Sequence, residues 1–394
     1  MQTREVVILS GVRTAIGDYG GALKDVAPTA LAAACVREAV KRSGIAPDQI
    51  GHAVFGNVIH TEARDMYLSR VAALDGGLPD TVPALTMNRL CGSAMQAIIS
   101  SAQMIMLGDV DAAIAGGAES MSRAGYQLPN LRWGQRMGDG GTVDMMVGAL
   151  TDPFGHGHMG VTAENVARRF GISREAQDAF AAESHRRAAA AIDCGVFNEQ
   201  IVPIEVKGRK GVVQVTVDEH VRRDVTAESL AKLKPAFAKD GSVTAGNASG
   251  LNDGAAALVL MEREAAARKG LKPLARIVSY AHSAVEPAVM GIGPIQAVRT
   301  ALARAKLSLA DMDVIESNEA FAAQALAVGR ELELSPIVTN TNGGAIALGH
   351  PIGATGAVIT VKAAYELQRI GGDYALATMC IGGGQGIALV LARE

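Results

Sequence analysis

The chain repeats itself. The segment Gly254-Ala-Ala-Ala-Leu-Val-Leu-Met-Glu-Arg-Glu264 resembles the chain end, Gly386-Ile-Ala-Leu-Val-Leu-Ala-Arg-Glu394. Each follows a glycine-rich approach, Asn247-Ala-Ser-Gly-Leu-Asn-Asp-Gly254 in one case and Cys380-Ile-Gly-Gly-Gly-Gln-Gly386 in the other. Working backwards, Ala112–Gly116 matches Ala375–Cys380, and the helical pattern after Cys91 matches the one after His350. Val54-Phe-Gly-Asn57 matches Ile315-Glu-Ser-Asn318, and Ala84-Leu-Thr-Met-Asn88 matches Ile337-Val-Thr-Asn340. Self-similarity over such a span means one structural unit used twice, so the fold must hold two similar halves. The 394 residues exceed what a single core usually encloses, which suits two or three domains.

Both halves read as strands alternating with helices and finishing in two strands. Glu5–Ser10 is a strand pattern; a helix follows over about 28–43, bounded by Pro28 and Gly44 in the order helices favour. Its Leu31, Cys35 and Ala39 recur at i, i+4 and i+8 on one face. This alternation predicts an α/β chain of mostly parallel, buried sheets covered by helices. The first copy is split: about 130 extra residues separate a strand ending near Gly117 from its last strand at 255–261. They hold an irregular stretch, Met121–Asp144, and helical patterns over 162–170 and 173–193. A hairpin around Lys207–Lys210 and the segment Arg222–Lys239 complete them. The expected division is 1–118 plus 251–269, an inserted lobe at 119–250, and a second half at 270–394.

Composition narrows the function. Aromatics are only 4% against 49% apolar residues, so the cores are built from Ala, Val, Leu and Ile. A net charge of −3 argues against a nucleic-acid binder. The N-terminus enters a strand pattern without a signal or transit segment, and no apolar run approaches the roughly 18 residues of a bilayer span. Four cysteines in so long a chain form no disulfide framework, which points to a soluble protein of the reducing cytoplasm. Residues 205–239 carry eight Lys/Arg against five Asp/Glu, a positive stretch in an acidic chain. That suits a polyanionic small ligand, or an ordinary solvated face; charge alone leaves both open.

Three residues could carry chemistry. Cys91, in Asn88-Arg-Leu-Cys91-Gly-Ser93, sits where a loop becomes a helix of about 92–107. Unsatisfied N–H groups and the dipole there favour a thiolate, so Cys91 is a nucleophile with a lowered pKa, or else a small buried hydrophobe. His350, between Gly349 and Pro351, is a general base, an oxyanion donor or a cap. Cys380 enters three glycines whose N–H groups could form an anion-binding concavity, or simply a tight turn. Cys35 and Cys194 lie in amphipathic helical patterns and read as structural. His156-Gly-His158 lacks partners at metal-ligand intervals, so no metal is expected.

Together with Gly116-Gly-Ala-Glu-Ser-Met121, His158-Met-Gly-Val-Thr-Ala-Glu-Asn165, Asn318-Glu-Ala-Phe321 and Asn342-Gly-Gly-Ala-Ile-Ala-Leu-Gly-His-Pro351, these motifs closely resemble the thiolase family across essentially the whole chain. The His-Met-Gly and Asn-Glu-Ala-Phe pieces look most like the short-chain, acetoacetyl-CoA type. The resemblance implies a duplicated αβαβα layered fold with an inserted loop domain. It implies Cys91 as the acyl-accepting nucleophile and His350 as its activator. With a water held by Asn318, His350 would also stabilise the thioester enolate. Cys380 would be the acid/base, and the N–H groups of Cys91 and Gly382 a second oxyanion hole.

For coenzyme A the resemblance points to Leu150, His158, Met159, Arg222, Ser229, Ala236 and Phe237, with Ala245, Ser249, Gly250, Met290 and Phe321 beside them. Coenzyme A and acyl-CoA are then substrates and no separate cofactor is implied. The implied partners are acetyl-CoA, short 3-ketoacyl-CoA and further copies of the chain, as a dimer or a tetramer with Arg132–Met146 at the contact. Neither nucleic acid nor membrane is implied. Two departures, Ala94 and Ser317, stand where the family often has glycine and alanine, and bear on substrate fit rather than on the chemistry. The ketoacyl synthases share the duplicated fold but commonly use a single cysteine with two histidines or His/Lys, which Cys380 argues against. A non-catalytic acyl-CoA carrier would have lost Cys91, Cys380 or His350, and all three are present.

Overall fold

The computed structural model describes residues 4–208 and 211–394; Arg209 and Lys210, at the tip of the expected hairpin, lie outside the described residues. The first half builds a sheet from Val6–Thr14 (β1), His52–Gly56 (β2), Ala84–Met87 (β3), Ala112–Ser120 (β4) and Asn252–Glu262 (β5), ordered β3-β2-β4-β5-β1. The second half uses Ala275–Ala284 (β6), Val314–Ser317 (β7), Tyr374–Ile381 (β8) and Gln385–Ala392 (β9), ordered β7-β8-β9-β6. A bridge between Ile315 and Thr339 occupies the place that β3 holds in the first sheet. The two sheets therefore share one topology, and they join edge to edge where Val6–Ile8 pairs antiparallel with Ala275–Ile277.

Mostly parallel pairing was expected from the alternation, and the structure corrects it. Pairs β2–β3, β2–β4 and β7–β8 are parallel, while β1–β5, β4–β5, β6–β9 and β8–β9 are antiparallel. Strands β8 and β9 are linked only by Gly382–Gly384, too short for the crossover a parallel pair needs. Strand β5 takes the corresponding place beside β4 after returning from the insertion.

Helices fill the remaining layers. Pro28–Ser43 (α1) ends at Gly44, whose φ of 75° makes the left-handed C-cap. Ser93–Leu107 (α2) follows Cys91, and Met159–Arg169 (α3) and Arg174–Asp193 (α4) belong to the insertion. Pro294–Ala305 (α5), Ala322–Glu331 (α6) and Thr355–Ile370 (α7) complete the second half. The equivalent helices α2 and α7 pack on each other between the two sheets, and α1 and α5 cover the outer faces. Gly356 makes the central approach possible, since a Cβ there would lie 2.4 Å from the Met95 backbone nitrogen. Cys91 and His350 each precede one of these two helices, so this packing sets them near one another.

The stretch Leu90–Leu107 is 18 residues with mean hydropathy 1.4, so one apolar run does reach the length of a membrane span. Its apolarity has another cause here. Ala94, Met95, Ile98, Ile99, Ala102 and Ile105 are buried in the core between the sheets.

The insertion is pinned to β1. Ile201–Val202 extends the sheet in parallel beside Arg13 and Thr14. Arg13 makes a two-pronged bond to Asp218 at 2.7 and 2.9 Å, with both side chains fully buried, and Asp218 also accepts the Ile16 N–H. Removing one partner of such a pair strands a buried charge, at a cost of about 3–5 kcal/mol.

Candidate active site

A cavity of about 380 Å³ opens between the two halves and the insertion, and Cys91, His350, Cys380 and Gly382 lie on its wall. Cys91 is presented by a strained turn. Leu90, a non-glycine, has φ 45°, in the left-handed region where branched side chains are rarely found. Flanking side chains stabilise that turn: Asn88 Oδ1 accepts the Leu90 N–H at 2.8 Å, and Ser93 Oγ accepts the Arg89 N–H at 2.8 Å and donates to the Leu90 carbonyl at 2.6 Å. The Asn88-Arg-Leu-Cys91-Gly-Ser93 motif is thus a self-bonded turn that points a thiol into the cavity.

His350 is held from two sides. Its backbone N–H donates to Asn252 Oδ1 at 2.8 Å, and Nδ1 lies 2.7 Å from Thr355 Oγ1. Gly349 precedes it with φ 107°, and a Cβ there would fall 2.6 Å from Asn252 Cγ, so only glycine fits. The His350 Nε2 atom is buried without a hydrogen-bond partner among the described residues. A second anchor is Glu119, whose carboxylate accepts the N–H groups of Val58, Ile59 and Gly353 and the Asn57 amide, tying the loop after His350 to the first half. Burial pushes Glu119 up to about 8 despite those donors.

Burial also governs the thiols. The dipole argument lowers the Cys91 pKa, but the structure raises it to about 11. Desolvation on the cavity floor outweighs the N–H groups of Gly382 and of Cys91 itself, which approach the sulfur and favour its charge. Cys91 also stands two residues ahead of the first residue of α2, so the helix terminus acts from a distance. Cys380 is raised further, first by burial and then by its closeness to Cys91. His350 is lowered to about 4 by burial and is neutral at pH 7. Burial thus favours the uncharged form of all three groups, two thiols and an imidazole, at neutral pH.

The insertion supplies the opposite wall. His158 caps α3, its Nδ1 accepting the Gly160 N–H at 3.1 Å, and its ring stacks on Phe237 with centroids 4.8 Å apart. Phe237 meets Phe321 edge-on at 6.2 Å. The loop carrying Ala245, Ser249 and Gly250 is fixed by Glu164, which accepts the N–H groups of Ser242 and Val243, and by Asn247, which donates to Asp178 at 2.9 Å. The Ser249 N–H reaches the Ala320 carbonyl at 3.0 Å, bringing this loop beside Phe321.

Leu150, Met159, Ala236 and Met290 line the cavity with His158, Phe237, Phe321 and that loop. Arg222 and Ser229 do not; both are exposed on the insertion, where the Arg222 N–H donates to His185 and Ser229 closes a capping box with Thr226. Asn318 lies behind the wall, beside a void of about 10 Å³ that Gly349 and Thr355 also line, and both polar atoms of its side chain are buried without partners among the described residues. Lining residues that the sequence reading passed over include Leu90, Val147, Ala248 and Ile352. Three of these neighbour a singled-out residue, at Cys91, Ser249 and Pro351, and adjacency was the available signal.

His185 gives a pH test. It is buried, its Nδ1 accepts the Arg222 N–H at 3.1 Å, and burial lowers it to about 4. The unfolded chain takes up this proton below about 6.5 and the folded chain only below about 4, so stability is lost as pH falls through that window. Compared with His185→Asn, the natural protein should lose up to about 1.4 kcal/mol more per pH unit there. Urea unfolding of both proteins from pH 7 to 4 measures the difference; parallel curves contradict it.

Comparison with known proteins gives one consistent result. The family models for the thiolase N-terminal and C-terminal domains match residues 6–264 and 271–393. The beta-ketothiolase BktB of Cupriavidus necator is 64% identical over 392 residues, covering 99% of this chain and 100% of that one. An acetyl-CoA acetyltransferase of Syntrophomonas wolfei is 50% identical, with 99% of each chain covered. The crystal structure of the Bacillus anthracis acetyl-CoA acetyltransferase superposes with a TM-score of 0.97 at 50% identity, covering 100% of this chain and 99% of that one. Human mitochondrial 3-ketoacyl-CoA thiolase gives 0.98 at 45% identity, with 100% of both chains covered.

Proposed function

The chain belongs to the thiolase family, and from that premise we propose that it joins two acetyl-CoA into acetoacetyl-CoA and free CoA, and runs the reverse thiolysis. The observation that carries this reading is the convergence of Cys91, Cys380 and His350 on one cavity, with the N–H groups of Gly382 and Cys91 aimed at the Cys91 sulfur.

In the first half-reaction the Cys91 proton passes to His350 Nε2 and the sulfur attacks the thioester carbonyl. The tetrahedral oxyanion lies against the N–H groups of Cys91 and Gly382. Each such donor is typically worth about 3–4 kcal/mol of the barrier. The C–S bond to CoA breaks, and Cys380 gives its proton to the departing thiolate. In the second half-reaction the Cys380 thiolate takes the α-proton of a second acetyl-CoA. The enolate oxygen is met by His350 Nε2–H and by a water on Asn318; the Asn318 amide, buried without a partner among the described residues, supports that role. The carbanion attacks the acyl-Cys91 carbonyl, acetoacetyl-CoA leaves, and Cys91 recovers its proton from His350. Atoms and charges balance, and the kinetics are ping-pong.

The wall of His158, Phe237, Met159, Met290 and the 245–250 loop would take the pantetheine arm, and exposed Arg222 and Ser229 the nucleotide end. Coenzyme A and its thioesters are the substrates, with no separate cofactor. The protein would work in the cytoplasm as a homo-oligomer; Leu131, Trp133 and Met137, with Trp133 87% and Met137 94% exposed, support a subunit contact through 132–146.

Acetyl-CoA should leave one acetyl group on Cys91, read by peptide mass spectrometry. Thiolysis across 3-ketoacyl-CoAs of increasing length should be fastest with acetoacetyl-CoA. An optimum at long chains would instead favour a β-oxidation thiolase.

A further inference from the structure

We propose that Thr355 is a positioning residue that locks His350 in the tautomer carrying its proton on Nδ1, leaving the Nε2 lone pair to receive the Cys91 proton. The inference rests on the reading of His350 as the base for Cys91.

Thr355 Oγ1 lies 2.7 Å from His350 Nδ1 and 2.9 Å from the Pro351 carbonyl oxygen. The hydroxyl has one proton. If it goes to Pro351, the i−4 carbonyl that a threonine at the start of a helix commonly bonds, then Oγ1 accepts from Nδ1–H and two bonds are made. If it goes to Nδ1, only one bond is made, and the imidazole proton sits on Nε2. That atom is buried and has no partner among the described residues. Buried orphan N–H groups are rarer than orphan acceptors, because an unsatisfied donor loses its hydration outright. Both considerations favour the proton on Nδ1.

The consequence is directional. His350 lines the same cavity as Cys91 and Cys380, and with Nδ1 held by Thr355 its Nε2 lone pair is the one left to take a proton from the thiols. Once Nε2 takes the Cys91 proton, the Nδ1–H bond to Thr355 persists and keeps the ring from turning. The new Nε2–H then stands where an oxyanion donor is needed. Thr355 touches neither substrate nor sulfur in this account; it acts through His350 alone.

Histidine-selective ¹⁵N labelling tests the tautomer in the natural protein, with His350→Asn identifying the resonances among the eight histidines. Near pH 7.5, Nδ1 should show a protonated-type shift and Nε2 an unprotonated-type shift; the reverse overturns the proposal. Quench-flow measurement of CoA release on mixing with acetyl-CoA tests the consequence. Thr355→Val should acylate Cys91 at least tenfold more slowly, and Thr355→Ser, which keeps the hydroxyl, within about threefold of the natural rate. A folded Thr355→Val protein that acylates at the natural rate also overturns it. Should that variant fail to fold, the labelling result alone decides. A natural protein that forms no acyl-Cys91 sinks the reading of the site itself, an outcome distinct from either of these.

Discussion

Cys91→Ala is expected to form no acyl-enzyme and to lose at least about 10⁴-fold in turnover, the scale seen when a covalent nucleophile is removed. Binding of CoA should survive. The residues proposed to hold the pantetheine arm are fixed by contacts that do not involve the sulfur: the His158–Phe237 stack, the Glu164 bonds to the 242–243 backbone and the Asn247–Asp178 bond. The turn around residue 91 should also survive, since Asn88 and Ser93 satisfy its backbone. Intact-mass measurement after mixing with acetyl-CoA reads the first effect and calorimetric titration with CoA the second. An acetyl adduct persisting on the alanine variant would falsify the assignment of the nucleophile.

Cys380→Ala should divide the reaction in two. Acylation of Cys91 continues, somewhat slowed, because a departing CoA thiolate can leave without a donated proton. Condensation and thiolysis fall by roughly 10²–10⁴-fold, the usual worth of a general acid–base group. The signature is a burst of about one CoA per site, by chromatography of quenched samples, followed by arrest with acetyl on Cys91. Arrest without the burst would make the Cys380 proton indispensable to CoA departure in the first step, and unchanged condensation would remove Cys380 from the mechanism. Burial is what makes the effect large. The Cys380 thiol is held well above its ordinary range, so the thiolate generated in place is a strong base for the weakly acidic α-proton.

The residues proposed to react stand out in the chain because each sits in a local signal. Glycine and proline bracket His350, glycines follow Cys380, and Cys91 stands at a loop-to-helix junction. The bounds of α1 were legible for the same reason, with proline at its start and glycine just past its end. The residues proposed for the coenzyme A wall came from resemblance to the family rather than from any pattern of their own. Thr355 and Glu119 stayed silent in the sequence. The Thr355 hydroxyl is one of many until its distance to His350 is known, and Glu119 bonds Gly353, 234 residues away. Pairing direction was misread because alternation of strand and helix fixes neighbours but not the sense in which β9 returns along β8.

The sequence by itself determined that one unit is used twice, that an insertion interrupts the first copy, and which cysteines and histidine could do chemistry. These are properties of residue type and order. Only the tertiary structure decided that Cys91, Cys380 and His350 share a cavity, that burial raises both thiols, and that the His350 Nε2 atom has no partner among the described residues. The physical reason is that desolvation and hydrogen-bond satisfaction belong to the whole surroundings of an atom. Most of those surroundings come from distant parts of the chain, brought together when α2 and α7 pack between the two sheets.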